Sequence, residues 1–135
     1  MFLMFFFSQL SFAGAISASN VQIRLTPPVS KTTAMFLTLK NSSDKEVKLK
    51  KVSGDLSDNI ELHDMIMENN SMKMRAVTEI KVPQKGEVIL KSGSLHVMIF
   101  DIKKELKEND KHKFKLTFDN GENLEIEASV KDFNK

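Results

Sequence analysis

The sequence predicts a single all-β domain, folded as an antiparallel sandwich or barrel. Two observations carry this. Apolar and polar residues alternate along most of the chain, the period of a strand with one face on a core and one in water. Turn-forming clusters break these runs at intervals of about 8–12 residues, the spacing of strands in antiparallel all-β folds. At 135 residues, the chain supplies one domain with enough length to bury a core.

The elements follow in order. The opening, "MFLMFFFSQLSFAGAISAS", is a short, mostly apolar run that turns small. It is too short to span a bilayer as a helix. It reads as the apolar part of a secretory signal followed by small-residue cleavage sites, although it lacks a basic start. Ser11-Phe12-Ala13 and Ala13-Gly14-Ala15 both fit such a site, and cleavage after Ala18 or Ser19 is compatible too. The expected division is a leader over residues 1–18 and a β-domain over 19–135. No cysteine follows the run, so a lipid anchor is not expected.

"AMFLTLKN" sets Met35, Leu37 and Leu39 against Phe36, Thr38 and Lys40. "EVKLKKV" sets Val47 and Leu49 against lysines. "EIKV", "EVILK" and "HVMIF" follow as short strands. "KFKLTFD" puts Phe114, Leu116 and Phe118 on one face, and "ENLEIEASV" does the same with Leu124, Ile126, Ala128 and Val130. Between them lie Asn41-Ser42-Ser43-Asp44, Ser53-Gly54-Asp55, Pro83-Gln84-Lys85-Gly86, Ser92-Gly93 and Asp119-Asn120-Gly121. The last predicts a hairpin, because Asn-Gly supplies the positive φ that a tight turn needs. "DIKKELKEND" reads as a single turn or loop between strands.

Composition removes several functions. The net charge is +2 and the basic residues are spread along the chain, so there is no nucleic-acid footprint. No nucleophile sits with a base, no paired carboxylates mark a site and no phosphate loop is present, so no enzymatic activity is expected. Zero cysteines exclude disulfides and thiolate metal sites.

What stands out is "IELHDMIMENNSMKMR", with one histidine and four methionines, and then "SLHVMIF". His63 is followed after ten residues by Met74, after twenty-one more by His96, and after one more by Met98. Residues two apart on a strand share a face, so His96 and Met98 point the same way, as do His63 and Met65. The Asn69-Asn70-Ser71 turn lets Met74 fold back beside His63. Two imidazoles and two thioethers then meet at one point. Soft, uncharged thioethers favour Cu(I), whereas zinc takes thiolate, imidazole and carboxylate. Outside the cytoplasm thiols are lost to oxidation, while methionine sulfoxide is repairable.

Most other candidates have an ordinary reading. Met35, Met67 and Met72 are expected in the core. His112 and Arg75 read as surface. Asp64 and Glu61 solvate a strand edge, with either able to orient His63. Met65 is an alternative to Met74 as a ligand. By chance a given histidine would have the other three ligands at these offsets about once in ten thousand.

At these residues the sequence resembles the periplasmic copper chaperone family PCu(A)C. That family's signature, His-x10-Met-x21-His-x-Met, is matched at His63, Met74, His96 and Met98. The likeness runs through "LTLKN", "ELHDM", "MKMR", "VPQKGEVILKSGSLHVMIFDIK" and "KLTFDNG". Two departures leave the ligands intact. Ser92-Gly93-Ser94 keeps one glycine of a usual pair, and Asn69-Asn70 replaces a usual glycine. The chain ends "SVKDFNK", without the His- and Met-rich tail of some relatives, so no second site is carried over.

The resemblance implies a cupredoxin-like, Greek-key β-sandwich holding Cu(I) in a surface-accessible site. It implies a periplasmic monomer that hands copper to a cytochrome c oxidase subunit, at its CuA centre, or to another assembly chaperone. No stable membrane insertion is expected after the leader is removed. The alternatives are a metal-free exported interaction module and a copper buffering or tolerance protein. A blue-copper electron carrier would need a cysteine.

Overall fold

The structure, a computed structural model, describes residues 14–134. Among these are ten strands and no helix: β1 (Ile16–Arg24), β2 (Thr33–Asn41), β3 (Val47–Gly54), β4 (Asn59–Glu68), β5 (Ser71–Val77), β6 (Ile80–Val82), β7 (Gly86–Leu90), β8 (His96–Phe100), β9 (Lys111–Phe118) and β10 (Asn123–Lys131). They hydrogen-bond in the order β5-β4-β8-β2-β1-β10-β9-β3-β6. β2 is long enough to take two neighbours on one edge, β8 along residues 33–35 and β7 along residues 37–41.

The sheet curls over so that its two halves enclose one core. Met35, Leu37 and Leu39 of β2 share that core with Leu49 of β3, Val97 and Ile99 of β8, Leu116 of β9 and Val130 of β10. These side chains are almost wholly removed from water, each worth about 1.5–3 kcal/mol of transfer free energy.

One ladder departs from the antiparallel expectation. β1 and β10 run parallel, Gln22 beside Ser129 and Arg24 beside Lys131. The two strands would otherwise leave adjacent unpaired edges, and pairing satisfies both. A register shift in β1 between Ser19 and Gln22, with Asn20 at φ 53°, lies just before this ladder.

Alternation predicts β9 well: Phe114, Leu116 and Phe118 are all buried. In β10 only Ala128 and Val130 are fully buried; Leu124 and Ile126 lie half-covered nearer the turn. β3 carries a bulge between Leu49 and Lys51, so Lys50 and Lys51 both face water and Val52 returns to the core. β2 and β8 bury both faces. Ala34, Phe36 and Met98, with Phe100 against them, form a small second cluster on the outer face. The segment after β8 is an irregular loop, as expected, and tucks Ile102 and Leu106 into the core.

Two hairpins position the rest. Asn69 and Asn70, at φ 51° and 65°, make the two-residue turn from β4 to β5. From β9 to β10 only Gly121 has positive φ, 87°, because the loop runs Asp119–Glu122 and its Phe118 N–H donates to the Glu122 carbonyl.

The expected leader boundary at residue 18 falls inside β1. Ile16 is buried, and the Glu122 carboxylate accepts the N–H groups of Ala15 and Ile16 at 2.9 and 3.1 Å. The apolar run and residues 1–13 lie outside the described residues. Among the described residues no helix is long and apolar enough to cross a membrane.

Candidate metal centre

The four motif residues come from three adjacent strands. β4 lies between β5 and β8, and His63 sits directly opposite His96 in the β4–β8 ladder. Their rings are 5.8 Å apart, centroid to centroid, at 47°. Met98 lies one rung along, opposite Glu61 on β4 and Ala34 on β2. Period two puts Glu61, His63, Met65 and Met67 on one face of β4 and His96 and Met98 on the same face of β8. That face points away from the main core, since the residues between them, Leu62 and Val97, belong to it.

Met74 reaches the site from β5. Its cross-strand partner is Met65, not His63, which faces Ala76. Next-but-one strands are about 10 Å apart, a span a methionine side chain can bridge part-way. Met74 leans over β4 and brings its Sδ to 3.2 Å from Nε2 of His96. Expected from the spacing was a Met74 beside His63; the register moves it one rung toward the turn and toward the other imidazole.

The hydrogen bonds set which nitrogens are free. Nδ1–H of His96 donates to the Ser94 carbonyl at 2.6 Å, and a carbonyl can only accept. The neutral ring therefore carries its lone pair on Nε2, facing the Met74 sulfur. Nε2–H of His63 donates to Glu61 Oε1 at 2.8 Å, leaving the lone pair on Nδ1. That Nδ1 is buried and has no hydrogen-bond partner. Two lone pairs in opposition and a buried unpaired acceptor are unfavourable in a folded domain. A cation bound at either lone pair relieves that cost, so the donor types fit a soft metal ion. For one ion held tetrahedrally, nitrogen and sulfur donors lie about 3.5 Å apart, close to the present contact.

The four differ in how far they meet the expectation of a surface-accessible site. His63 (7%), His96 (5%) and Met98 (8%) are buried, and only Met74 (49%) is open to water. A shallow cleft of about 520 Å³ opens over three of them, Met74, His96 and Met98, together with Met65; His63 does not line it. At its rim Arg24 stacks over Phe36 at 5.1 Å and Phe133 at 5.7 Å, and bonds Ser92 Oγ at 3.1 Å. Three of the four candidate donors are thus buried, and the fourth, the Met74 thioether, is exposed.

The remaining candidates separate cleanly. Met35 is core, as expected. Met67 and Met72 are not: they are 66% and 50% exposed, because the β4–β5 hairpin projects beyond the sandwich. Asp64 points to the other face and accepts the Met65 N–H at 2.7 Å. His112 is half-buried rather than surface, with Nε2 covered and unpartnered. Sequence reading left Glu61 as one of two options; its parity with His63 on β4 was the signal that selects it. The Ser94 carbonyl carried no signal, since it acts through the backbone. No three of His, Cys, Asp and Glu gather as a metal site among the described residues, so any ion held here depends on sulfur.

Comparison with known proteins places this fold. Protein RP573 of Rickettsia prowazekii (strain Madrid E) is 32% identical over 99 residues, 73% of this chain and 54% of that protein. The chain thus spans about half the length of the curated relative it matches. Among solved structures, the copper-bound PCuAC domain from PmoF2 superposes with a TM-score of 0.76 at 19% identity, over 90% of this chain and 97% of that one. The solution structure of CuI-DR1885 from Deinococcus radiodurans does so at 0.67 and 28% identity, over 87% and 77%. The expected cupredoxin-like β fold is therefore the fold observed. Residues 16–130 match the family described as LpqE-like lipoproteins. With most of its length inside that match, the chain belongs to the LpqE-like family.

Proposed function

We propose that this protein is an extracytoplasmic Cu(I) metallochaperone, using His63, Met74, His96 and Met98 as ligands. The observation that carries the reading is the 3.2 Å contact of Nε2 of His96 with the Met74 thioether, with the ring of His63, whose Nδ1 is buried and unpartnered, 5.8 Å from that of His96 and no thiolate present. Such a set adds no negative charge and selects a soft monovalent ion. The Deinococcus structure, a CuI form, supports the same oxidation state.

Delivery follows from the unequal exposure. An acceptor's thiols or imidazoles replace Met74 first, because it alone faces solvent, and the buried donors then release the ion stepwise. Each exchange breaks one bond to copper as it forms another, and the ion stays monovalent. The protein acts as a carrier and not an enzyme. The acceptor is a copper protein, such as a cytochrome c oxidase subunit with its CuA centre or another assembly chaperone, and the carrier works as a periplasmic monomer. The leader ends after Ala13 or Ala15 in this reading, since cleavage at either leaves Ile16 in the core.

The test is an anaerobic Cu(I) titration of the chain against a chromophoric Cu(I) chelator at neutral pH. One tightly held equivalent, abolished by His96→Ala, supports the reading. No competition with the chelator overturns it. A second reading, copper buffering, is favoured by the burial of three donors. It predicts that the loaded protein keeps its copper when mixed with an apo CuA domain, whereas the chaperone reading predicts transfer.

A further inference from the structure

The β4–β5 hairpin carries two methionine rungs in succession. Met65 faces Met74 and Met67 faces Met72, with the turn just beyond at Glu68 and Ser71. In a two-residue hairpin the rung that closes the turn is hydrogen-bonded, and rungs alternate from there. Both methionine rungs are then of the non-hydrogen-bonded kind, where opposite side chains lie closest, with Cβ atoms about 4.5–5.5 Å apart. Both lie on the face that holds His63. The ladder is therefore continuous: Met67/Met72, then Met65/Met74, then His63 with His96 behind it. Successive rungs are about 7 Å apart, so the outermost pair is about 14 Å from the His63 rung.

Packing does not explain the outer pair. Met67 and Met72 are 66% and 50% exposed, among the most exposed large apolar side chains of the described residues. Charges at the hairpin keep to the opposite face: Lys73 pairs with Glu68 at 3.2 Å, and Asp64 lies opposite Arg75. The face itself offers four thioethers and no carboxylate until Glu61, which is engaged with His63. A hard cation finds nothing there; a soft monovalent one finds paired sulfur donors.

We propose that Met67 and Met72 form a second, weaker subsite for a soft monovalent cation at the hairpin tip, through which the ion reaches or leaves the buried centre. This deepens the copper reading and rests on it. The ion exchanges one thioether at a time, from the Met67/Met72 rung to Met65 and Met74, then onto Nε2 of His96. At each step one sulfur–metal bond breaks as another donor–metal bond forms, with no change of oxidation state and no proton moved. Met74 belongs to both arrangements: it is the exposed ligand of the centre and the inner member of the ladder.

The test uses the full chain with 13C-methyl methionine, titrated with Ag(I) and, anaerobically, with Cu(I). The first equivalent should shift the Met74 and Met98 methyls. A further equivalent should shift those of Met67 and Met72 with weaker affinity. The Met67→Leu/Met72→Leu variant, isosteric and exposed, should hold the first equivalent as tightly as the parent, lose the second phase, and load several-fold more slowly from a Cu(I)–acetonitrile complex. In His96→Ala the Met67 and Met72 shifts should persist. Met67 and Met72 methyls that stay unmoved by either ion, or an unchanged loading rate in the double variant, overturn the subsite. Failure of Met74, Met98 and His96 to respond to the first equivalent overturns the copper centre instead.

Discussion

Glu61 offers a direct test of how the centre is held. Its carboxylate holds the ring of His63, one of the proposed ligands. Its Oε1 accepts Nε2–H of His63 at 2.8 Å, and so presents the ring with Nδ1 free. Glu61→Leu removes the acceptor, while Glu61→Gln keeps an acceptor oxygen and loses the charge. A hydrogen bond to a charged partner contributes about 1.5–3 kcal/mol. The Glu61 side chain is 44% exposed, so water replaces part of what is lost and the lower end applies. That is about tenfold in affinity, at the low end of the 10–100-fold typical of partners that support a metal-ligating histidine. Competition with a Cu(I) chelator should show about a tenfold loss for Glu61→Leu and a smaller one for Glu61→Gln. A purely structural role would not move the tautomer. Long-range 1H–15N spectra of the apo protein should show His63 protonated at Nε2 in the parent and in Glu61→Gln, and a tautomer mixture in Glu61→Leu. Parent-like affinity together with an unchanged tautomer in Glu61→Leu would refute the argument.

Other consequences are as specific. Met98→Leu, which keeps the buried volume, should weaken Cu(I) binding by more than about tenfold, beyond the effect of a supporting residue, whereas Met65→Leu should cost less; equal losses in chelator competition would mean the ligand set is misassigned. Gly54→Ala should destabilise the fold by about 1–3 kcal/mol, read as a lower urea midpoint, because the new Cβ would lie 2.6 Å from Phe114 Cδ2 and 2.8 Å from the Lys113 carbonyl. Copper binding should survive that change, since the new contacts fall on Lys113 and Phe114 of β9, which pairs with β3 and β10 and not with β4, β5 or β8. Burial holds the His112 imidazole below the usual histidine range, with Lys104 adding to the effect and Asp110 opposing it. The unfolded chain therefore takes up the proton more readily, so stability present above the ordinary value near 6.5 is lost as pH falls toward the folded value. His112→Gln should flatten the fall in unfolding free energy below about pH 6.5; an unchanged slope against the parent would count against it.

The local patterns determined a good deal. Period-two alternation placed β9 and most of β2 and β3 correctly, because a half-buried strand has no other way to separate Phe114, Leu116 and Phe118 from their lysine neighbours. The hairpin signal at Asn120-Gly121 and the two-asparagine turn at Asn69-Asn70 were legible for the same reason: positive φ is a property of single residues. The four candidate donors and their spacing were written in the chain, and with them the softness of the ion proposed here.

Tertiary structure decided what depends on register between strands far apart in sequence. Alternation could not show that β2 and β8 bury both faces, since the second face is covered only where Ala34, Phe36 and Met98 meet. It could not place Met67 and Met72 outside, because an apolar residue on a strand looks the same whether or not another layer lies across from it. Nor could spacing show that Met74 meets His96 instead of His63, or that Ser94 and Glu61 turn the two rings in opposite senses. A sequence specifies which donors exist; the pairing of β4 with β5 and β8 sets which lone pairs face each other, and through that which metal chemistry the site can perform.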